Sequence, residues 1–541
     1  MSNGIFKNPE TKNEPGFEFR PGSPEIDQLR AKLAELQSQE IEIPLIIGGK
    51  EVRTGNTAEI RPPHNTKKLL GVYHKAGEKE VNMAIEAALK ARKEWAALPW
   101  EHRVSILRKA GELLAGPYRM LMNAATMLGQ SKTPHQAEIE AACELIDFYR
   151  FNSLYYEELM TEQPYSPKEM WNRVEYRALE GFIFAITPFN FTAIAGNLPT
   201  APALIGNVVL WKPASSAVYS AYFLMKLFKE AGFPDGVINF IPGSGGTVGD
   251  PVMASPDLAG IHFTGSTAVF QHMWKTIGGN IEKYKYYPRI VGETGGKDFI
   301  FAHKSANVDM LVANAIRGAF EYQGQKCSAA SRMYIPKSLW AEFKEKYVAQ
   351  VNEIKVGDIE DFSMFMGAVI DKSAYRDITG YIDYAANSDE AEFITGGTYD
   401  DSKGYFVQPT TIVTTNPKFK TMEEEIFGPV LTIYVYEDDK FDETLELCDT
   451  TSMYALTGAI FAEDRYAVDY MMKYLTNAAG NFYINDKPTG AVVNQQPFGG
   501  GRASGTNDKA GSKMNLLRWM SARSIKENFL TPKDWRYPYM G

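Results

Sequence analysis

Cys327 is the residue of this sequence best suited to act as a nucleophile. It lies in the segment Gln323-Gly324-Gln325-Lys326-Cys327-Ser328, where an adjacent lysine can stabilise the thiolate, the reactive form of cysteine. The alternative is a buried and inert thiol, which is the usual state of a free cysteine. Cys143, which follows two alanines, and Cys448 fit that alternative, and we expect no polar neighbours around Cys143.

Two further residues could complete an acyl-transfer site. Glu293 precedes Thr294 and two glycines, so its carboxylate is accessible to water, as a general base requires. Asn190 follows a predicted buried strand, and an amide at that position can donate to an oxyanion. Taken singly, each has a commoner explanation: a surface glutamate in a turn, and an asparagine that closes an Asx-turn.

Three segments are candidates for binding phosphate or ribose groups. Residues 243–249, with Gly245 and Gly249, follow a predicted strand and precede a predicted helix, an arrangement that favours anions. The last glycine lies one position late for G-x-G-x-x-G, so a turn that requires positive φ is an equal alternative. Residues 262–267, with Ser266, and residues 423–429 have helix caps and turns as their alternatives.

The elements that must hold these residues alternate between strand and helix. Short apolar runs at 182–187, 208–213 and 237–242 are separated by helical patterns, and a second series follows at 299–354. Such alternation predicts βαβ units and parallel sheets. Residues 78–97 have helical periodicity, residues 1–30 are predicted to form an extended arm, and the chain after about residue 508 is predicted to be polar and irregular.

Composition excludes several classes of function. The chain has 541 residues, a net charge of −9 and a pI of about 5.5, which argues against nucleic-acid binding. We find no apolar run long enough to cross a membrane. Three cysteines without zinc spacing predict no metal site and a reducing compartment. The first residues lack the pattern of a signal or transit peptide, so we expect a bacterial-type cytoplasmic protein, with the mitochondrial matrix as the alternative.

The order and spacing of the motifs are more specific than any one of them. From Asn190 through Lys212, the glycine loop, Glu293 and Cys327 to the segment at 423–429, the chain resembles the aldehyde dehydrogenase superfamily over about residues 40–525. The resemblance implies an α/β fold with a Rossmann-like NAD-binding domain, a second α/β catalytic domain and a small β oligomerisation flap. The implied boundaries are 1–164 with 184–295, then 296–507, then 165–183 with 508–541, in a homodimer or higher homo-oligomer.

The resemblance also implies roles for the residues. Cys327 would attack an aldehyde to give a thiohemiacetal and then a thioester, Asn190 would bind the oxyanion, and Glu293 would activate the hydrolytic water. NAD would be the cofactor. Its binding residues would be Lys212, Ser215, Gly245, Gly249, Ser266, Glu425 and Phe427. Most members carry glutamate at the position of Ser215, and its loss removes a repulsion against a 2′-phosphate, which leaves NADP open.

Other departures indicate one subgroup of the family. Thr294 and Phe270 replace a common leucine and a common glycine, and they resemble the subgroup that oxidises glutamate γ-semialdehyde, the open form of 1-pyrroline-5-carboxylate, to glutamate in proline catabolism. Ala491 stands where that subgroup usually has serine. The implied substrate residues are Ser328, Gly490, Ala491, Phe191, Phe498 and Glu144.

Two alternatives stay open at this point. The chain could oxidise another semialdehyde, such as succinate semialdehyde, in which case an arginine clamp would bind the carboxylate. It could also be a non-catalytic NAD-binding protein of the same fold, although Cys327, Glu293 and Asn190 are all intact.

Overall fold

The computed structural model describes residues 4–541. In this range the helices pack around two large sheets, and a π-helix, Glu138–Glu144, connects α5 to α6. The α-helices are α1 (Pro24–Gln37), α2 (Glu78–Ala97), α3 (Trp100–Ala115), α4 (Arg119–Gln130), α5 (Pro134–Ala137), α6 (Leu145–Thr161), α7 (Thr192–Leu204), α8 (Val218–Ala231), α9 (Gly245–Ala254), α10 (Thr267–Gly279), α11 (Val308–Phe320), α12 (Lys337–Val351), α13 (Lys372–Ala386), α14 (Lys420–Glu423), α15 (Phe441–Thr450), α16 (Arg465–Tyr474) and α17 (Lys513–Leu517).

The strands follow the same chain order. They are β1 (Ile41–Ile43), β2 (Leu45–Ile47), β3 (Lys50–Val52), β4 (Thr57–Ile60), β5 (Gly71–His74), β6 (Met170–Ala178), β7 (Phe182–Ile186), β8 (Val208–Lys212), β9 (Ile238–Phe240), β10 (Leu258–Thr264), β11 (Arg289–Glu293), β12 (Asp298–Ala302), β13 (Ala330–Pro336), β14 (Ala391–Thr395), β15 (Tyr399–Asp400), β16 (Phe406–Val407), β17 (Thr410–Thr414), β18 (Val430–Tyr436), β19 (Tyr454–Ala455), β20 (Thr457–Phe461), β21 (Asn481–Ile484), β22 (Gly501–Arg502) and β23 (Met520–Asn528).

The first large sheet has seven strands in the order β11-β10-β7-β8-β9-β2-β3. Its strands from β11 to β9 run parallel, β2 pairs antiparallel with β9, and β3 at the edge pairs antiparallel with β2. Strands β7 and β8 are buried along their whole length, as expected of strands covered by helices on both faces. The predicted parallel arrangement of these strands is therefore confirmed.

The second large sheet also has seven strands, in the order β14-β17-β18-β13-β12-β20-β21. All neighbours in it are parallel except β14 and β17. Two apolar clusters, one on each face, pack against it. The strand and helix series predicted for residues 299–354 is present as β12, α11, β13 and α12.

Two predictions about the chain ends were wrong in part. The predicted arm of residues 1–30 includes the start of α1, which begins at Pro24 and buries four apolar side chains; residues 1–3 lie outside the described range. The tail predicted to be irregular forms α17 and then β23, which pairs along nine residues with β6. Trp519 is fully buried in the apolar cluster around the first large sheet. An aromatic side chain of this size gains much free energy from burial.

No helix within residues 4–541 combines the length and the apolar character needed to cross a membrane.

Candidate active site

Parallel pairing in the first sheet collects site residues at one edge. Ile186 at the end of β7 lies opposite Lys212, and Thr264 lies opposite Glu293. Because parallel strands end on the same side, the loops that follow them converge there, which is where open α/β sheets bind ligands. Asn190, Lys212, Ser266 and Glu293 are among the predicted site residues at this edge.

Cys327 follows a strained loop at the end of α11. Tyr322, Gln323 and Gly324 have φ values of +50°, +56° and +65°, a left-handed backbone that costs roughly 1–3 kcal/mol per non-glycine residue. The side-chain amide of Gln323 holds this turn, because its Nε2 donates to the carbonyl oxygens of Ser131 (3.1 Å) and Ala368 (2.8 Å). The loop thus turns the chain so that Cys327 precedes β13 at the pocket.

Cys327 and Glu293 line the same cavity, which has a volume of about 340 Å³, within the range of small-molecule sites. Predicted substrate residues share its wall: Glu144, Phe191, Ser328, Gly490, Ala491 and Phe498. Asn190 is 3% exposed and is not among the lining residues. It lies in the turn between β7 and α7, where Gln130 Nε2 donates to the Phe189 carbonyl at 2.7 Å.

Burial raises the pKa of the thiol and of one carboxyl in this cavity. It raises the pKa of the Cys327 thiol well above its ordinary value, and the nearby carboxylates of Asp298, Glu293 and Glu425 raise it further. Burial also raises the pKa of Glu293, while an N–H from Gly500 and the charge of Lys509 oppose that shift. The thiol is therefore neutral in the free protein and must lose its proton during the reaction.

The neighbours predicted for two cysteines differ from those found. Lys326, expected to stabilise the Cys327 thiolate, is buried and pairs with Glu321 at 2.8 Å, so its charge is already balanced. The expectation that Cys143 has no polar neighbours was wrong: its Sγ lies 3.7 Å from Glu138 Oε1 and 3.6 Å from Arg119 Nη2. Burial nevertheless raises the pKa of the Cys143 thiol to about 12, which keeps it unreactive.

Gly295 and Gly296 allow three chain segments to meet beside the nucleophile. A Cβ on Gly296 would lie 2.3 Å from the Cys327 carbonyl oxygen, and one on Gly295 would lie 2.4 Å from Glu425 Oε2. Both contacts are far inside van der Waals distance, and at position 296 the neighbour is backbone, so only glycine fits there. The Gly296 N–H also donates to Glu425 Oε1 at 2.9 Å, which fixes this carboxylate next to the cavity.

The two unusual residues of these motifs have structural partners. The Phe270 ring stacks on Phe263 with centroids 5.4 Å apart, and it occupies the space beside Gly292, where a Cβ would meet the ring at 2.2 Å. The Thr294 hydroxyl donates to the Ala503 carbonyl at 2.5 Å. Leucine could not make that bond, so the threonine ties Glu293 to the loop around residues 503–506.

A loop of residues 489–496 lines part of the same cavity. The Ser328 and Thr489 hydroxyls lie 2.8 Å apart, which links the residue after the nucleophile to this loop. Gly490 has φ +93°, a conformation that favours glycine. Among residues 4–541, the N–H groups of Gly490 and Ala491 donate to no other protein group, and both residues line the cavity.

A buried ion pair beneath the cavity was missed from the sequence. Lys132 Nζ lies 2.8 Å from Glu140 Oε1, and the ammonium lies 4.4 Å from the Phe191 ring centroid and 4.3 Å from that of Tyr322. Burial and the charge of Glu140 raise the pKa of Glu144 to about 8. A helical pattern gives no signal for such a pair, because its members come from separate elements.

The cofactor residues predicted at the sheet edge lie near three helix starts. Lys212 is buried, and its Nζ makes one hydrogen bond, a long one of 3.4 Å to the Pro213 carbonyl; burial lowers its pKa to about 8. Ser215 is exposed in the short 3₁₀ turn before α8. Gly245 begins α9, which also contains Gly249, and Ser266 directly precedes α10.

Phe427 and Glu425 approach the same region from the second sheet. Phe427 has φ +56°, a strained value for an aromatic residue, and its ring meets Phe189 edge-on with centroids 5.7 Å apart. Burial raises the pKa of Glu425 to about 7. Phe427 is thus held by Phe189, and Glu425 by the Gly296 N–H.

One group of potential metal ligands lies away from the cavity. His64, Asp358 and Glu360 bring ligand atoms within 4.8 Å of one another. Lys403 Nζ already pairs with Asp358 at 3.0 Å, and Glu360 is exposed. None of the three lines the cavity of Cys327.

Comparison with known proteins agrees with this geometry. The family model described as "Aldehyde dehydrogenase family" matches residues 51–525. The chain belongs to the aldehyde dehydrogenase family. Delta-1-pyrroline-5-carboxylate dehydrogenase, mitochondrial, of Dictyostelium discoideum is 53% identical over 98% of this chain and 96% of its own. The human protein of that name is 49% identical over 98% and 94%.

A solved structure extends the likeness to the fold. The NAD-bound Delta-pyrroline-5-carboxylate dehydrogenase from Mycobacterium tuberculosis has a TM-score of 0.97 and 50% identity, with all of both chains covered. The aldehyde dehydrogenase resemblance and the α/β fold expected from it are both confirmed.

Replacing the nucleophile tests the aldehyde dehydrogenase site. We expect Cys327→Ser to abolish aldehyde oxidation, because a neutral hydroxyl is a much weaker nucleophile, and to leave NAD affinity unchanged. The measurements are formation of reduced NAD and calorimetric titration with NAD. Cys448→Ala is the matched control, since that thiol is buried away from the cavity and should keep full turnover. Ordinary turnover by Cys327→Ser would contradict the assignment.

Replacing the base separates hydrolysis from acylation. We expect Glu293→Gln to slow thioester hydrolysis by about a hundredfold or more, the usual contribution of a general base, while the amide still accepts from the Gly500 N–H. Acyl-enzyme on Cys327 should then accumulate and appear as an added mass after rapid quenching. A normal steady-state rate with no trapped acyl group would exclude this role.

Proposed function

We propose that this protein is an NAD-dependent 1-pyrroline-5-carboxylate dehydrogenase, which oxidises L-glutamate γ-semialdehyde to L-glutamate in the second step of proline catabolism. The observation that carries the proposal is the single cavity lined by Cys327 and Glu293 and also by Gly490 and Ala491, whose N–H groups are unpaired. Relatives of that name are about half identical over nearly the whole chain.

The reacting end follows from the residues around the thiol. The Cys327 thiol gives its proton to water in the cavity as Sγ adds to the aldehyde carbon, and the oxyanion formed receives hydrogen bonds from the Asn190 amide and the Cys327 N–H. NAD, when bound, accepts the hydride from that carbon. The thioester left on Cys327 is hydrolysed by a water from which Glu293 removes a proton, which releases the carboxylate product and restores the thiol.

The part of the cavity lined by Gly490 and Ala491 suits an amino-acid head group. Free N–H groups in a turn with one positive-φ residue bind anions, and Gly490 and Ala491 offer two of them beside the Ser328 and Thr489 hydroxyls. Because backbone donors supply the contact, the alanine at position 491 is compatible with carboxylate binding. Phe191 and Phe498 flank the aliphatic carbons of the substrate, and Glu144 lies near the aldehyde.

The residues at the sheet edge fit NAD. The buried Lys212 ammonium has only one long hydrogen bond and so has donors free for ribose hydroxyls. The N-termini of α9, at Gly245 and Gly249, and of α10, at Ser266, suit the pyrophosphate. Glu425 accepts from the nicotinamide ribose and Phe427 packs near the ring. Ser215 places no carboxylate against a 2′-phosphate, so NADP is a second candidate cofactor.

The assembly follows from the β6–β23 ribbon. A two-stranded ribbon is marginal by itself, and the tail after it exposes Leu530 and Trp535, so we propose that residues 165–183 and 508–541 pair with a second copy. Residues 1–164 with 184–295 and residues 296–507 form the NAD-binding and catalytic domains. Sedimentation of the whole chain measures the dimer.

The cytoplasm is the proposed compartment, with the mitochondrial matrix as the alternative, and cell fractionation distinguishes them.

The choice of substrate is tested by comparing aldehydes. We expect kcat/KM with 1-pyrroline-5-carboxylate to exceed that with succinate semialdehyde and propanal by about a hundredfold or more, because only the first offers both the carboxylate and the amino group to the 489–496 loop. Formation of reduced NAD at equal aldehyde concentrations measures it. A preference for succinate semialdehyde would keep the mechanism and reject this substrate, and no turnover of any aldehyde would favour a non-catalytic NAD-binding protein.

The pKa of Glu425 predicts a pH dependence of NAD binding. With a pKa of about 7, the carboxyl is neutral at lower pH and loses its charged acceptor, so we expect NAD to bind up to about tenfold more weakly at about pH 6 than at about pH 8. Titration with NAD across this range measures the change. Lys297 also has a pKa that burial brings to about 7, and Glu425→Gln retains it. Weaker NAD binding at the lower pH that persists in this variant would therefore contradict the role of Glu425.

A further inference from the structure

The segment before α1, residues 4–23, lies against the helices that form one wall of the cavity, and we call it the N-terminal arm. The Glu14 carboxylate pairs with Arg119 and with Arg150, each at 2.6 Å. The Phe17 ring lies under the Arg119 guanidinium at 3.9 Å. These side chains are largely buried, so the arm is attached by specific contacts although it contains no helix or strand.

Asn13 is the arm residue that connects two parts of the cavity wall. Its Nδ2 donates to Asp147 Oδ2 at 2.7 Å, on α6, and to the Val493 carbonyl at 2.8 Å, in the 489–496 loop. Its Oδ1 accepts from Gln495 Nε2 at 3.2 Å. One side-chain amide thus uses both donor hydrogens and its acceptor to join the helix to the loop.

Asp147 anchors the helix side of this connection. It is 3% exposed, and its other carboxylate oxygen accepts from the Glu14 N–H at 2.7 Å. A buried carboxylate holds its donors firmly because leaving it without them is costly. Asn13 therefore cannot shift without breaking bonds to a carboxylate that is itself held in α6.

The loop has few other attachments near the substrate. It is held by the Thr489 hydroxyl on the side of the nucleophile and by Asn494 Oδ1, which accepts from the Tyr155 hydroxyl at 2.8 Å. Between these points, Gly490 and Ala491 make no backbone hydrogen bonds as donors within the described chain. On the C-terminal side of these two N–H groups, the first hydrogen bond from the loop to another segment is therefore the one between Asn13 and the Val493 carbonyl.

We propose that Asn13 is a positioning residue for the substrate carboxylate: it ties Val493 and Gln495 to Asp147 and so fixes the loop whose N–H groups receive that carboxylate. This proposal rests on the proposed function. It assigns the N-terminal arm to substrate selection, since the part of the substrate that it governs is the amino-acid head and not the aldehyde.

The test is Asn13→Ala in the full chain, assayed with two aldehydes. We expect the KM for 1-pyrroline-5-carboxylate to rise by roughly tenfold, as for small displacements of binding groups, with kcat changed less than about twofold. The KM for propanal, which lacks the carboxylate, and the KM for NAD should stay unchanged. Gln495→Ala, which removes one of the same bonds from the loop side, should give a smaller rise of the same kind.

Asn8→Ala is the matched control. Asn8 belongs to the same arm and donates to the Ser153 carbonyl and Glu157 of α6, but it does not contact the loop, so its kinetics should match those of the unchanged chain. The proposal is overturned if Asn13→Ala leaves the KM for 1-pyrroline-5-carboxylate unchanged, if Asn8→Ala raises it equally, or if the KM for propanal rises in parallel. Failure of the proposed function would be visible separately, as no preference for the pyrroline compound in the unchanged chain.

Discussion

The site depends on a close approach of backbone at Gly295 and Gly296. There the chain passes from the first large sheet to the second, and the Cys327 carbonyl and the Glu425 carboxylate both pack where a side chain would otherwise lie. A Cβ at position 296 would clash with the Cys327 carbonyl, so the missing side chain lets this backbone pack directly against Cys327. The left-handed turn before Cys327 and the Gly296–Glu425 hydrogen bond both serve this one junction.

Such a junction has an electrostatic cost. It brings carboxylates and a thiol into a buried space, and burial raises their pKa values, because charge is poorly solvated there. The protein balances part of this charge with paired lysines: Lys132 with Glu140 and Lys326 with Glu321.

Two residues that depart from those common in the family each contact a local partner. Phe270 has room because position 292 is glycine, and Thr294 finds an acceptor in the Ala503 carbonyl. Each of these two departures is thus accommodated by a contact with a neighbouring group.

The sequence by itself determined the class of fold, the helix at 78–97 and the buried strands, and it singled out the candidate reacting residues. These signals are local: hydrophobic periodicity, glycine positions and the order of motifs along the chain. It could not show that Lys326 pairs with Glu321, that Cys143 lies beside Arg119, that the tail forms a strand with residues 170–178, or that Asn13 reaches Val493. Each of those depends on segments far apart in the chain that meet only when the sheets pack, so tertiary structure alone decided them.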